Sequence, residues 1–479
     1  MEQRVTATDA RSHPGLILAV LSLSGGAYAL LQSLVVPALP VLQDDLHTTT
    51  SGVAWVFTSY LLAASVVTPI AGRLGDMFGK KRVLIVVLAG LAAGSLLAAL
   101  VHSLPLMIMA RTIQGLGGAV FPLAFGIIRD ELPRERVAGA IALVSGLLGI
   151  GGGLGIVLAG PILEHLDYHW LFWIPLIVTA GSTVAAVAVI PESSRREPGQ
   201  IHWLGGVLLS AWLVALLLAV SEAPTWGWGS GKTLGLAAFG IVCGAVWIVA
   251  ETRAPHPLVD MRMMRLPGVW TTNAAAFLIG FGMYSAFILI PQYVQMPTST
   301  GYGFGASVSQ AGIFLVPTTI ALLITSPIGG RLSTRVGSRV PLVAGALVTT
   351  ASFVVLAVAN ARWEIYVAST LLGIGVGFAF ASMANLIVEA VPRGQTGVAT
   401  GMNTIVRTIG GAIGAQIAAS ILAGHVLADG DTAKRGFTIV FVMCGAVLAV
   451  GVLASLAVPR AKRGVAAPLR VVESAQAGE

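Results

Sequence analysis

Charged side chains are scarce in this sequence. They make up only 10% of the 479 residues, whereas 56% of the residues are hydrophobic, and the mean hydropathy is +0.87. So few charges cannot solvate the surface of a water-soluble protein of this length. Lipid is therefore the expected solvent for most of the chain, and the long apolar runs predict an all-α integral membrane protein.

Cysteine is almost absent as well. Cys243 and Cys444 each lie inside an apolar run, so the sequence offers no disulfide framework, CxxC motif or zinc cluster. The eight histidines lie in tails, loops or span ends, and there is no Walker motif. The glycine-rich stretch 149–155 lacks both GxGxxG and GKS/T, which argues against a nucleotide-binding loop. We therefore predict that the protein is not an enzyme and holds no metal and no cofactor.

Long apolar stretches are abundant. Fourteen of them are about 18 to 25 residues long, the length needed to cross roughly 30 Å of hydrocarbon. They cover approximately 16–39, 52–71, 83–101, 105–128, 137–160, 170–190, 203–221, 233–250, 269–291, 308–329, 341–359, 364–388, 398–424 and 437–458. An even number of spans places both termini on the same side of the membrane.

The basic residues indicate which side that is. With a cytoplasmic N-terminus, 22 Lys and Arg fall in the tails and inward loops, and four fall in outward loops. This is the positive-inside pattern, and it predicts a multi-pass protein of the plasma (inner) membrane with both termini cytoplasmic. The basic residues form no aromatic-interleaved patch, so nucleic acid is not an expected partner despite the net charge of +7.

The sequence contains an internal repeat. PIAGRL at 69–74 reappears as PIGGRL at 327–332, and 150–155 matches 409–414. The offset of 258 or 259 residues spans eight helices, so the copies are predicted to be parallel repeats. The predicted division is a cytoplasmic tail (1–15), an N-terminal six-helix bundle (16–190), two inserted helices with linkers (191–268), a C-terminal six-helix bundle (269–458) and a second cytoplasmic tail (459–479).

Three motifs resemble a known family. The stretch 72–82, GRLGDMFGKKR, resembles the loop motif between the second and third spans of the major facilitator superfamily, and 111–119, RTIQGLGGA, resembles its RxxQGxGxA motif. The stretch 151–160 resembles the antiporter motif GxxxGPxxGG, with Ile156 in place of the proline. Fourteen spans resemble the drug:proton antiporter branch. The resemblance covers residues 14–460 and implies a major facilitator fold that uses a proton gradient and alternating access about a central cavity.

The loop motif is the first candidate site. The resemblance implies that it latches the two halves together in one conformational state. Glycine permits a tight turn and close helix approach, and the basic residues would face cytoplasm or anionic headgroups. Thr334 replaces the acid in the second copy, which predicts an asymmetric latch. The motif residues are Gly72, Leu74, Asp76, Gly79, Lys80, Lys81 and Arg82.

Ionisable residues inside the spans are the second candidate site. Arg111 and Arg407 are the two cations within predicted spans, where a charge usually faces a cavity or a partner. No acid lies deep in any predicted span, and Leu31 stands where the resemblance implies an aspartate. Glu131 and Glu389, at cytoplasmic span ends, are the other coupling candidates, with Asp44 and Asp45 at the outer mouth as alternatives, although each could be a solvated helix-end charge. Two deep cations would disfavour dications and tolerate neutral, zwitterionic or anionic amphiphiles.

Polar side chains within the spans are candidates for the cavity wall, and each could equally join helices by hydrogen bonds. They are Gln32, Tyr60, Gln114, Asn273, Tyr284, Asn385 and Asn403. Small residues at spacing four let membrane helices pack closely. The predicted packing glycines are Gly115, Gly151, Gly155, Gly410 and Gly414.

The expected function is secondary active, proton-coupled efflux of small hydrophobic compounds, including drugs and antibiotics. The substrate is a small molecule, the bilayer is the other partner, and a monomer suffices for transport. An importer or facilitator of a metabolite, without proton antiport, is the alternative that the residues at 31 and 156 leave open.

Overall fold

The apolar runs form helices. The computed structural model describes residues 14–35, 37–48, 50–192, 202–255, 257–392, 395–425 and 432–459, and all regular secondary structure in these ranges is helical. A helix satisfies its backbone hydrogen bonds internally, which a segment surrounded by lipid requires. The predicted all-helical fold is therefore confirmed. Most of the two predicted tails and residues 193–201 of the linker lie outside the described ranges.

The first half of the chain and the inserted pair contain ten helices in the described ranges. A 3-10 segment, Gly115–Ala119, joins the fifth to the sixth. The helices are α1 (Pro14–Leu34), α2 (Leu39–Asp45), α3 (Thr50–Phe78), α4 (Lys80–Leu100), α5 (Leu104–Gln114), α6 (Val120–Glu131), α7 (Arg134–His165), α8 (Trp170–Val189), α9 (Trp203–Trp226) and α10 (Gly231–Arg253).

The second half adds eight helices in the described ranges. They are α11 (Met261–Met264), α12 (Pro267–Gln295), α13 (Val308–Ile313), α14 (Val316–Val336), α15 (Arg339–Val358), α16 (Arg362–Ala390), α17 (Thr396–Ala423) and α18 (Lys434–Ala457).

Thirteen segments of the described chain are long and apolar enough to cross a bilayer. They coincide with thirteen of the fourteen predicted spans. The remaining one, predicted at 137–160, coincides with α7, a helix of 32 residues in which the side chains of 148–150, 152 and 156 lie outside the description. The count of fourteen stays a prediction.

The long helical segments run in alternate directions, with α5 and α6 together making one segment, and this defines two sides of the bundle. We call the side where α3 joins α4 the motif side, and the opposite side the far side. The chain enters α1 and leaves α18 on the motif side, where Arg339 at the start of α15 donates a hydrogen bond to the carbonyl of Leu456.

Within the inserted pair, only α9 packs deeply. Leu213 and Leu217 of α9 share an apolar core with Ile405 and Ile409 of α17. By contrast, α10 lies outside α9 and exposes large apolar side chains such as Ile241, as expected of a helix that faces lipid.

Candidate functional site

The connection between α3 and α4 is a single residue. Helix α3 continues to Phe78 and α4 begins at Lys80, so most of the predicted loop motif is helical. Only Gly79 departs from the helix, with φ at 108°, a conformation that strains any residue with a Cβ atom. The acid near the end of α3 did not end the helix early because Asp76 is paired with Lys80 and is not left as an uncompensated buried charge.

A buried ion network lies behind this turn. Lys80 Nζ lies 3.3 Å from Asp76 Oδ1 and 2.9 Å from Asp130 Oδ2. The three side chains are at most 7% exposed. Gly126 provides the space, because a Cβ atom there would lie 2.7 Å from the Lys80 side chain. The network joins α3, α4 and α6 within the first half.

The other two basic residues of the motif lie nearer the surface. Lys81 Nζ donates to the carbonyl of Val187 at 2.9 Å, and Arg82 Nε lies 3.0 Å from Glu192 Oε2. The Arg82 side chain is 65% exposed, and such pairs contribute little to stability.

Arg129 connects the two halves on the motif side. Its guanidinium donates to the carbonyls of Val391 at 3.0 Å and Pro392 at 3.3 Å, and to the hydroxyl of Thr396 at the start of α17. The sequence analysis missed Arg129, although it directly precedes the Asp130-Glu131 pair at the end of a span.

Further contacts close the motif side. At Gly72, a Cβ atom would lie 2.9 Å from the backbone of Gly397, so α3 and α17 touch through their main chains. Asn385 Nδ2 donates to the Ala138 carbonyl across the halves at 3.3 Å. In this conformation the two halves therefore meet on the motif side.

The second copy of the motif has the same backbone and a different charge. Gly337 has φ at 88°, as Gly79 does at the matching position. Ser338 matches Lys80, and its hydroxyl lies 3.2 Å from Glu389. Thr334, at the position of Asp76, bonds to the Arg331 carbonyl of its own helix. A contact between a hydroxyl and a carboxylate, without a cation, thus replaces the buried ion network.

A row of glycines on α7 forms a second set of contacts between the two halves. Gly146, Gly153 and Gly160 are seven residues apart, which places them on one helix face. A Cβ atom on any of them would collide with Ser326, Thr319 or Ser309 respectively. Close packing along this face holds α7 against α13 and α14 from one side of the bundle to the other.

The five predicted packing glycines all lie where helices approach closely. A Cβ atom at Gly151 would lie 2.6 Å from the Ala29 carbonyl carbon of α1, and Gly155 contacts α1 one turn later. In the second half, a Cβ at Gly410 would lie 2.8 Å from the Phe277 carbonyl carbon of α12, and Gly414 again follows. Gly115 packs against the backbone of α3 in the same way.

A cavity of 210 Å³ lies in the far-side half of the molecule between α1, α3, α9, α12 and α17. Most of its wall is apolar, and none of the described side chains that line it is charged. Thr58 of α3 and Ser221 of α9 are 3.4 Å apart at its edge. Two predicted cavity residues belong to its polar lining, which comprises Gln32, Ser33, Thr58, Ser221, Tyr284, Thr408 and Gln416. We call it the far-side cavity.

A second cavity, of only 20 Å³, lies between the halves nearer the motif side. Its wall contains Arg407, which is 6% exposed and whose guanidinium carbon lies 4.4 Å from the centre of the Phe380 ring. We call this second cavity the central cavity. Asn403, which was predicted to line a cavity, lies in its wall and donates a hydrogen bond to Asn273 Oδ1 at 2.8 Å.

Arg111 lies in neither cavity. Its Nε donates to the Val56 carbonyl at 3.0 Å, its Nη1 donates to Gln114 Oε1 at 2.7 Å, and its guanidinium carbon lies 4.4 Å from the centre of the Tyr60 ring. Gln114 in turn donates to Ser95 Oγ at 3.0 Å. The structure thus brings three predicted residues together as a network inside the first half.

The remaining carboxylates are divided between the two sides. Glu131 and Glu389 lie at the motif-side ends of α6 and α16. Sequence analysis missed Glu222, because the predicted seventh span ended at residue 221 whereas α9 continues to Trp226. Glu222 is 9% exposed, accepts a hydrogen bond from Thr225 at 3.0 Å and directly follows Ser221 of the far-side cavity.

The sequence profile of the Major Facilitator Superfamily matches residues 21–415 and 272–475. The chain belongs to this superfamily. Its recognition as a major facilitator superfamily transporter from the loop motif and the span-four motif is thereby confirmed.

Two relatives and one solved structure define what the transporter resembles. It is 30% identical over 400 residues to the tetracenomycin C resistance and export protein of Streptomyces glaucescens, covering 82% of this chain and 73% of that one. It is 27% identical over 377 residues to the multidrug transporter protein MdtP of Bacillus subtilis, covering 77% and 68%. The crystal structure of the human organic anion transporter MFSD10 shares the fold, with a TM-score of 0.64 at 16% identity over 91% of this chain and 99% of that one. The chain spans 54 to 73% of the length of the first curated relatives that it matches.

Proposed function

We propose that this transporter is a secondary active exporter that exchanges small hydrophobic compounds, including antibiotics and other drugs, for protons by alternating access. The far-side cavity carries the proposal, because it opens between α3, α9, α12 and α17 toward one side of the molecule, while Arg129 joins α6 to the start of α17 on the other. Such an arrangement suits one of two alternating states. The names of the relatives support the substrate class.

The proposed architecture and membrane orientation are those predicted from the sequence. Fourteen helices form two six-helix bundles, related as parallel repeats, with α9 and α10 inserted between them. The motif side faces the cytoplasm together with both termini, in the plasma membrane, and the protein acts as a monomer. The matching glycine contacts of α7 with α1 and of α17 with α12 support the repeat.

Proton coupling requires carboxylates that protons can reach first from one side of the membrane and then from the other. On the motif side we assign this role to Glu131 or Glu389, and on the far side to Glu222, which is buried next to a cavity-lining residue. Arg111 supports coupling indirectly by fixing the shape of the first half. No catalytic step and no cofactor take part, and the proton gradient supplies the energy.

A metabolite importer or facilitator is the second candidate. Leu31 favours it, since this fully buried aliphatic side chain stands where the drug:proton antiporter branch has an acid. Such a transporter would move its substrate down its own gradient and ignore the proton gradient.

Efflux from cells separates the two candidates. Cells that express the protein are loaded with an uncharged fluorescent amphiphile, and its loss is followed with and without an uncoupler that collapses the proton gradient. We expect efflux that the uncoupler abolishes. Uptake, or movement that continues unchanged in the uncoupler, would replace export with the second candidate.

A further inference from the structure

One face of α17 lines both cavities. Thr400, Thr404 and Arg407 border the central cavity, and Thr408 and Gly411 border the far-side cavity. Residues three, four and seven apart share a helix face, so the two cavities form successive parts of one route along α17. Arg407 lies where the central part of the route meets the far-side part.

Arg407 has no anionic partner in the described chain. Its Nε is buried and has no hydrogen-bond partner among the described residues, and none of the residues that line the central cavity is acidic. The Arg407 guanidinium lies over the Phe380 ring. This stacking leaves the N–H groups at the edge of the guanidinium available to donate hydrogen bonds. A buried guanidinium without a counter-ion is costly in a membrane protein and marks a functional position.

Arg111 provides the internal comparison. It is fully buried, and its Nη2 also has no hydrogen-bond partner among the described residues, but its Nε and Nη1 have acceptors within the first half, and it lines neither of the two cavities. Of the two arginines buried within the described spans, Arg407 alone combines an unpartnered donor with a position on the route between the halves.

We propose that Arg407 binds the anionic group, a carboxylate or phenolate, of an aromatic amphiphile when the motif side is open. A guanidinium presents paired donors that match such oxygens, and Phe121, Phe125 and Phe380 of the same cavity would hold the aromatic body. Phe121 and Phe125 belong to the first half, whereas Phe380 and Arg407 belong to the second. Separation of the halves would therefore widen the 20 Å³ cavity into a site of useful size, and closure would send the ligand to the uncharged far-side cavity. This inference rests on the proposed export function.

The test compares an acid with its neutral analogue. Binding of 2-naphthoate and of 2-naphthamide to the purified protein in lipid nanodiscs is titrated in gluconate buffer for the wild type, R407Q and R407K. We expect R407Q to weaken naphthoate binding at least tenfold and naphthamide binding less than twofold. R407K should fall between them, because lysine keeps the charge and loses the planar fork.

Two controls complete the test. R111Q should affect both ligands alike, because Arg111 supports the fold of the first half, and thermal melting identifies any variant that fails to fold. Equal losses for acid and amide in both R407Q and R407K would overturn the proposal. The proposal would also be overturned if chloride binding depended on Arg407 and naphthoate did not compete with it. That result would indicate a site for an inorganic anion.

Transport by the wild type separates this proposal from the proposed function. A protein that exports naphthamide, and binds naphthoate equally well with and without Arg407, is an exporter without the Arg407 site. A protein that binds naphthoate through Arg407 and exports neither compound has the site and is not an exporter of this class.

Discussion

Lys80 Nζ lies 2.9 Å from Asp130 Oδ2, with both side chains buried. The repeat supplies Ser338 and Glu389 at the matching positions, where a hydroxyl and a carboxylate are 3.2 Å apart. The two halves therefore differ in charge on the motif side. At these matching positions the first half has a buried lysine, and the second half has a serine.

Removal of that cation should destabilise the first half. Lys80→Met leaves the carboxylates of Asp76 and Asp130 buried without their shared cation, and breaking a buried pair in this way costs about 3–5 kcal/mol. We expect a clearly lower melting temperature in detergent. Lys81→Met, which removes a partly exposed amine, should change it little, and equal shifts for the two variants would contradict the role of the network.

Arg129 should control how often the motif side opens. Arg129→Gln removes the charge-assisted hydrogen bonds to Val391, Pro392 and Thr396, so the open state should gain at least tenfold in population, or about 1.4 kcal/mol. Spin labels at Phe78 and Val336, in a background without the two cysteines, would report a longer distance. The exposed Arg134→Gln is the matched control and should leave the distance distribution unchanged.

Much of the fold was predictable because lipid imposes a simple rule. A segment in hydrocarbon must be helical and apolar for about 20 residues, and thirteen segments of the described chain satisfy this rule where the sequence predicted spans. The turn at Gly79 and the close packing at Gly151 were also predictable, because glycine is required for those geometries.

The division of the polar residues between roles was not predictable. Arg111 and Arg407 are equivalent in sequence terms, and only three-dimensional packing separates a network inside the first half from a cavity between the halves. Arg129 and Glu222 were missed because each lies at the end of a span, where a charge is expected in any membrane protein and carries no signal of its own.

The backbone contact between α1 and α7 should tolerate no added methyl group. Gly151→Ala would bring a Cβ atom within 2.6 Å of the Ala29 carbonyl carbon, and we expect a cost of roughly 1–3 kcal/mol from overpacking. Gly181→Ala adds a methyl group where no atom lies within 4 Å, and it should be neutral or slightly stabilising. Melting temperatures of the two variants, measured side by side, check the difference.

Glu222 should matter for coupling more than for substrate binding. Glu222→Gln keeps the size of the side chain and removes its ability to release a proton. We expect substrate affinity within twofold of the wild type and proton-driven efflux lowered at least tenfold. Glu164→Gln, which alters a carboxylate that accepts a hydrogen bond from Ser309 on the far side, is the control. Equal losses in both variants would remove Glu222 from the proposed proton route.

The most direct test of the central claim uses purified protein in liposomes. An uncharged fluorescent amphiphile is supplied on the side that the motif face occupies, and a pH gradient is imposed with the opposite compartment acidic. The account predicts accumulation of the amphiphile against its own gradient in that compartment, with protons moving the other way, and collapse of both when the gradient is dissipated. Equilibration to equal concentrations, with no response to the pH gradient, would contradict proton-coupled export.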